Sequence, residues 1–96
     1  MKVVLHPAAE RDAEAAQGWY RDRSALAARA FLTELMDAVE HLGQPPRVGS
    51  PYLAGTHRKL LPTFSFSLVD RVEAECILLI AIAHHRRKPG YWLQRH

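Results

Sequence analysis

The last nineteen residues, LLIAIAHHRRKPGYWLQRH, bring His84, His85, Arg86, Arg87, Lys88, Tyr91, Arg95 and His96 together, with no acidic residue among them. Imidazoles exchange protons near neutral pH, and guanidinium groups hold phosphates and carboxylates. Two kinds of chemistry suit this set. One is metal-free cleavage of RNA, in which a base activates the ribose 2′-hydroxyl, cations stabilise the pentavalent phosphate and an acid protonates the leaving oxygen. The other is the gripping of a large acidic partner. Arg58, Lys59 and Arg71 are the further cations of this half of the chain. Arg58 and Lys59 are adjacent, so on a strand they point to opposite faces and only one can serve a given site.

Each of these residues also has an ordinary structural use. His84 and His85 stand where an apolar strand ends, a place where an imidazole hydrogen-bonds nearby backbone. Arg86 and Arg87 are suited to ion pairs with Glu73 and Glu75, and Arg71 to a pair with Asp70 or Glu73. Tyr91 and Trp92 are suited to folding back over the core and tying the tail down. No other His or Cys lies at ligand spacing on one element, so neither a metal site nor a cofactor is expected.

The elements that must position these side chains fit one domain, residues 1–96, with a single modest core. Apolar residues make up 48% of the 96, which places the chain among ordinary globular proteins. No apolar run is long enough to span a membrane, and MKVVLHP is too short for a secretory signal. One cysteine, Cys76, rules out an intrachain disulfide and fits a reducing cytoplasm. It reads as a small buried strand residue. Charge is uneven: residues 1–56 carry six Lys/Arg against seven Asp/Glu, and residues 57–96 carry seven against three. The basic second half suits nucleic acid or an acidic protein segment.

Lys2–Leu5 is short and β-branched and reads as a strand. His6-Pro7 starts a helix, because proline at the first helical position gives up only an amide that has no partner there. Glu10, Asp12 and Glu14 complement its dipole. Ala9, Ala13, Ala16 and Tyr20 form a thin face that must lie close to its neighbour. Gly18 weakens the helix end, RDRS turns the chain, and Asp22 or Ser24 caps the next helix. From Ala25 to Leu42, Ala28, Leu32, Leu35, Val39 and Leu42 recur at helical spacing, widened by Phe31, Met36 and Ala38. Gly43 ends this helix and Pro45-Pro46 prevents its resumption. GQPPRVGSPYLAGT is a loop. HRKLL is a strand, Phe64, Phe66 and Leu68 alternate with serines in a second, Glu73–Glu75 turns the chain, and CILLIAIA is apolar on both faces and belongs at the centre of a sheet. The expected fold is α+β, ordered β-α-α-β-β-β, with an N-terminal helical hairpin on a small, mainly antiparallel sheet. The last strand is central, with the N-terminal strand beside it or at an edge.

RKLLPTFSFSLVDRVEAECILLIAIAHHRRKPGYWLQR resembles the end of the RelE/ParE superfamily of type II toxins, in its ParE-like branch. The matching features are basic Arg58-Lys59, the aromatic strand Phe64 to Arg71, acidic Glu73 to Glu75, apolar Ile77 to Ala83, and then His84, Arg86, Arg87, Pro89 and Trp92. AAQGWYRDRSALAARAFLTELMDAVEHL is similar to the helical hairpin of that family. The resemblance implies a growth-inhibiting, plasmid-stabilising toxin that forms a hetero-oligomer with a cognate antitoxin. ParE-like members act on DNA gyrase, whereas RelE-like members cleave mRNA on the ribosome. Such ribonucleases place an arginine where this chain has Phe64-Ser65-Phe66-Ser67-Leu68, so the full basic catalytic set is not visible. The first reading is a ParE-like inhibitor of a protein target such as gyrase, with Lys59, Arg71, His84, Arg86 and Arg87 binding that target. The alternative is a ribosome-dependent mRNA endoribonuclease. In that reading His84 or His85 acts as acid or base, with Arg71 and Tyr91 as further catalytic candidates. Both readings require the cations to share one exposed rim. An alanine-faced hairpin on a small sheet also leaves a hydrophobic groove, suited to an acidic amphipathic antitoxin segment.

Overall fold

The computed structural model describes residues 1–44 and 49–96, so the Pro45-Pro46 stop lies outside the described residues. β1 (Lys2–Leu5) leads into α1 (Pro7–Arg21) and α2 (Ala25–Leu42). There follow the two-residue β2 (Ser50–Pro51), a 3-10 turn at Leu53–Gly55, β3 (His57–Leu60), β4 (Phe66–Val72) and β5 (Cys76–His84). The strands form one sheet in the order β1-β5-β4-β3-β2. Only the β1–β5 pairing is parallel. This is the expected α+β architecture. β5 is flanked on both sides, and β1 lies both beside it and at the sheet edge. None of the described helices is long and apolar enough to cross a membrane.

His6 caps α1 with its side chain: Nδ1 accepts the Ala8 N–H at 2.9 Å, and Pro7 opens the helix. α1 continues through Gly18 to Arg21, so the turn falls at RDRS as expected. Its last turn carries Tyr20 into an aromatic cluster with Phe31 at 5.3 Å and Phe64 at 5.0 Å. Such packing offsets the roughly 0.5–1 kcal/mol cost of a glycine inside a helix. Ser24, rather than Asp22, caps α2 by accepting the Ala27 N–H at 3.1 Å. Ala28, Phe31, Leu35, Ala38 and Leu42 are buried along its inner face. Met36 is 61% exposed, one step around the helix from buried Leu35 and outside the core stripe.

β4 begins at Phe66, two residues later than the alternation suggested, and β3 ends before Leu61. Pro62 has no N–H to give to a ladder, so the connection turns there. The Leu61 N–H donates to Phe66 O at 2.9 Å and closes that turn. Phe64 still packs on the core from outside the strand, and Cys76 is half-buried at the start of β5 rather than fully covered.

The core has two parts. The main cluster fills the space between the helices and the sheet, around Phe31, Leu35, Leu68, Leu79 and Ile82. A smaller one covers the opposite sheet face, where Val69, Ile80 and Ala81 meet Trp92, only 2% exposed. Trp92 therefore folds back as expected, but onto the face away from the helices. It gets there through consecutive turns. At Gly90 φ is +87°, and a Cβ would stand 3.1 Å from Leu93 Cδ1, so a side chain is disfavoured there.

A register shift in the β4–β5 ladder decides where the reactive side chains go. Val69 pairs with Ala81 while Asp70 pairs with Leu79, leaving Ile80 as an extra residue. Leu79 and Ile82 face the helices, and Ile80 and Ala81 both join the opposite cluster. The bulge re-aims every side chain beyond it, including both histidines at the strand exit.

Candidate functional site

The exit of β5 is a ridge between two concave surfaces. His84 lies on the helix side, edge-on to Phe66 with ring centroids 4.9 Å apart. Its Nδ1 accepts the Arg86 N–H at 3.0 Å, which leaves Nε2 to carry the proton in the neutral ring. His85 lies on the other side, with Nε2 2.8 Å from Ser67 Oγ and its own backbone N–H donating to Ser65 O at 2.9 Å. Both imidazoles are thus held in defined orientations, one by a backbone amide and the other by a buried hydroxyl.

On the helix side the ridge bounds a groove of about 420 Å³. Ala15, Ala16, Trp19 and Tyr20 of α1 form one wall, Phe66 and Ile82 the floor, and His84, Arg86, Arg87 and Tyr91 the other wall. The short alanine side chains on α1 leave this space open. Trp19 is 53% exposed, with the Arg23 guanidinium 3.7 Å above its ring. At the groove's end, Asp12 Oδ2 accepts the Ile82 N–H at 3.0 Å and an Arg95 N–H at 2.6 Å, and Oδ1 accepts a second Arg95 N–H at 3.2 Å. Arg95 also donates to Ile80 O at 3.1 Å. β1 ends at Leu5, so beyond it this ion pair satisfies the edge of β5 that no strand covers. The Asp12 carboxylate raises the Arg95 pKa further above its ordinary value. Burial, with a smaller contribution from Asp12, raises the Tyr91 phenol. Tyr91 therefore holds its proton more tightly and can donate a hydrogen bond.

On the far face of the sheet, a hollow of about 170 Å³ collects Arg58, Ser67, His85, Arg87, Lys88 and Tyr91. No carboxylate lines it.

The predicted single rim is only partly formed. His84, Arg86, Arg87 and Tyr91 come together in the groove wall, with His85 just behind them. Arg71 does not join them. It pairs across the sheet with Leu78, near the β4–β5 turn, whereas His84 pairs with Phe66 at the other end of the same ladder. At the strand rise of ~3.3 Å those ends are about 17 Å apart. Arg71 is tied instead to Glu73 at 3.3 Å, a half-exposed pair of little energetic weight. Lys59 also stands apart. It pairs with Leu68 and lines a separate surface between α2 and β3, with Glu34 and Asp37. A phosphate held jointly by Lys59, Arg71 and Arg86 is therefore excluded by distance and by strand alternation. Arg86 and Arg87 do not pair with Glu73 or Glu75, which lie at the far turn. Among the described residues no group of His, Cys, Asp and Glu side chains could hold a metal ion.

Trp19, Asp12, Arg95, Arg58 and Ser67 were not singled out as site residues from sequence. Strand parity does place Arg58 on the face of Ser67 and Val69, and it was this half of the Arg58/Lys59 alternation that reached the hollow. The pairing of Asp12 with Arg95, 83 residues apart, had no local signal.

The sequence matches the ParE toxin of type II toxin–antitoxin systems (parDE) over residues 3–89. Among curated proteins none matches. In the solved structures, a chain of a chromosomal ParDE toxin–antitoxin system from P. aeruginosa superposes with a TM-score of 0.80. That match has 22% sequence identity and covers 88% of this chain and 95% of that one, a likeness of fold. With the family matched across nearly its whole length, the chain belongs to the ParE toxins of type II toxin–antitoxin systems.

Proposed function

We propose that the protein inhibits growth by binding a protein target such as DNA gyrase, and that a cognate antitoxin neutralises it by filling the groove between α1 and β5. Family membership supports the toxin role. The observation that carries the antitoxin site is the groove itself: an apolar floor, an exposed tryptophan, and Arg86 and Arg87 on the rim. That chemistry suits an acidic amphipathic segment whose apolar side chains provide affinity while its carboxylates speed and orient encounter. Protein-target inhibition is favoured over RNA cleavage because Arg71 lies near the other end of the β4–β5 hairpin from the histidines and Lys59 lines a separate surface beside α2.

Expression of the chain alone should arrest growth, and co-expression of its cognate antitoxin, expected to be a short acidic protein encoded beside the gene, should restore it. A DNA-damage response with intact mRNA, and cleavage complexes formed by purified gyrase with the toxin, would establish the target class. Unimpeded growth with folded toxin present would refute the reading, and ribosome-dependent mRNA cleavage would replace it with the endoribonuclease.

Within this reading, Trp19→Ala should weaken antitoxin binding about thirtyfold, as expected for an aromatic anchor worth ~2 kcal/mol. Because the ring is half exposed in the free toxin, the melting temperature should change little. Calorimetric titration checks the affinity, and an unchanged dissociation constant would move the antitoxin to another surface.

A further inference from the structure

The hollow on the far sheet face brings Arg58 and Lys88, which do not line the groove, together with Arg87, which lines both. Arg58 reaches it from β3, Arg87 and Lys88 from the turn after β5, and His85 from the strand exit. The two guanidinium groups are already oriented: Arg58 lies 4.5 Å over the Tyr52 ring and Arg87 lies 3.7 Å over Tyr91. Stacking fixes the planes while leaving N–H edges free to donate. Ser67, 2% exposed, holds His85 at 2.8 Å and adds a hydroxyl to the site. Among the described residues, Arg58, Arg87 and Lys88 make no ion pair, and the lining contains no carboxylate. Like charges gathered in one concavity repel each other, and an anion between them relieves that repulsion.

We propose that this hollow binds a backbone phosphate of a single-stranded nucleic acid. Its size, about 170 Å³, suits a phosphate and its sugar rather than a whole nucleotide with its base. The faces of Tyr52 and Tyr91 are occupied by the arginines, so bases have no free ring to stack on. The contact is therefore made to the backbone and is indifferent to sequence. Arg87, His84 and Tyr91 line both the hollow and the groove, so a segment seated in the groove would contact one wall of the phosphate site. The proposal does not depend on the gyrase reading, because binding is measured directly on the isolated chain.

The test is fluorescence anisotropy with short labelled single-stranded DNA and RNA of unrelated sequences. Binding should be similar for all of them and weaken about two- to threefold between roughly 50 and 200 mM salt, as release of counterions from one phosphate requires. Arg58→Gln and Arg87→Gln should each lower affinity fivefold or more. Arg29→Gln, an equal change of net charge on the exposed surface of α2 across the sheet, should leave it unchanged. Circular dichroism and thermal melts confirm that the variants are folded. Excess inorganic phosphate should compete weakly. Absence of oligonucleotide binding, or equal loss in the Arg29 variant, overturns the proposal. Adenosine monophosphate binding as tightly as the oligonucleotides would assign the hollow to free nucleotides instead and also overturn it.

Discussion

Asp12→Ala should lower the unfolding free energy by about 3 kcal/mol, with a lower urea midpoint at an unchanged m-value. The carboxylate accepts three hydrogen bonds, one from the Ile82 backbone and two from Arg95, and the two side chains are only 13% and 20% exposed. Removing it strands a backbone N–H on an uncovered strand edge and leaves the guanidinium with the Ile80 carbonyl and the Tyr91 side chain. An orphaned buried donor costs about 1–3 kcal/mol, more when charged, while residual exposure of the pair keeps the total below that of a fully buried ion pair. Asp12→Asn keeps one acceptor and should lose about half as much. Hydrogen exchange gives a second readout: the Ile82 amide should lose protection in the alanine variant while amides of the β3–β4 pairing keep theirs. A midpoint shift worth under about 1 kcal/mol would mean that the tail holds the strand edge without this pair. The same substitution frees the tail that carries Tyr91 and Trp92, so it should also loosen the wall shared by the groove and the hollow.

Phe31→Ala should be the most destabilising substitution in the helical hairpin, at about 4 kcal/mol. Its side chain is fully buried, with ring centroids 5.3 Å from Tyr20, 5.4 Å from Phe64 and 5.2 Å from Phe66. Those three partners come from α1, from the turn before β4 and from β4 itself. The truncation would therefore open a cavity where both layers meet. Typical domains are stable by about 5–15 kcal/mol in total, so the variant should be partly unfolded at physiological temperature. Phe31→Leu refills most of the space and should cost about 1–2 kcal/mol. Denaturant titration of both variants checks the pair. An alanine variant as stable as the leucine one would show that the aromatic cluster relaxes around the gap.

Much of the architecture was legible because its causes are local. The α2 stripe, the Ser24 cap and the Pro7 start each depend on side chains within one or two turns of where they act. The apolar run of β5 could only be stable covered on both faces, and it is. Local rules failed where a distant contact outweighed a propensity. β4 starts late because the turn around Pro62 closes through Leu61 and Phe66. For the candidate site, sequence grouped Lys59 and Arg71 with the cations at the exit of β5; the fold sets Arg71 near the other end of the β4–β5 hairpin and Lys59 on a separate helix-side surface beside α2.

By itself the sequence determined the order of elements, the position of the core strand and the placing of a cationic cluster at its exit, because composition and periodicity act through neighbouring residues. Only the tertiary structure decided which cations share a surface. The single extra residue at Ile80 sends His84 toward the helices and His85 toward Ser67. The Asp12–Arg95 pair then folds the tail over the open edge of β5 and divides the cluster between a groove and a hollow. A bulge and an ion pair between residues far apart in the chain are chosen by how the layers close on one another, and no short stretch of sequence records that choice.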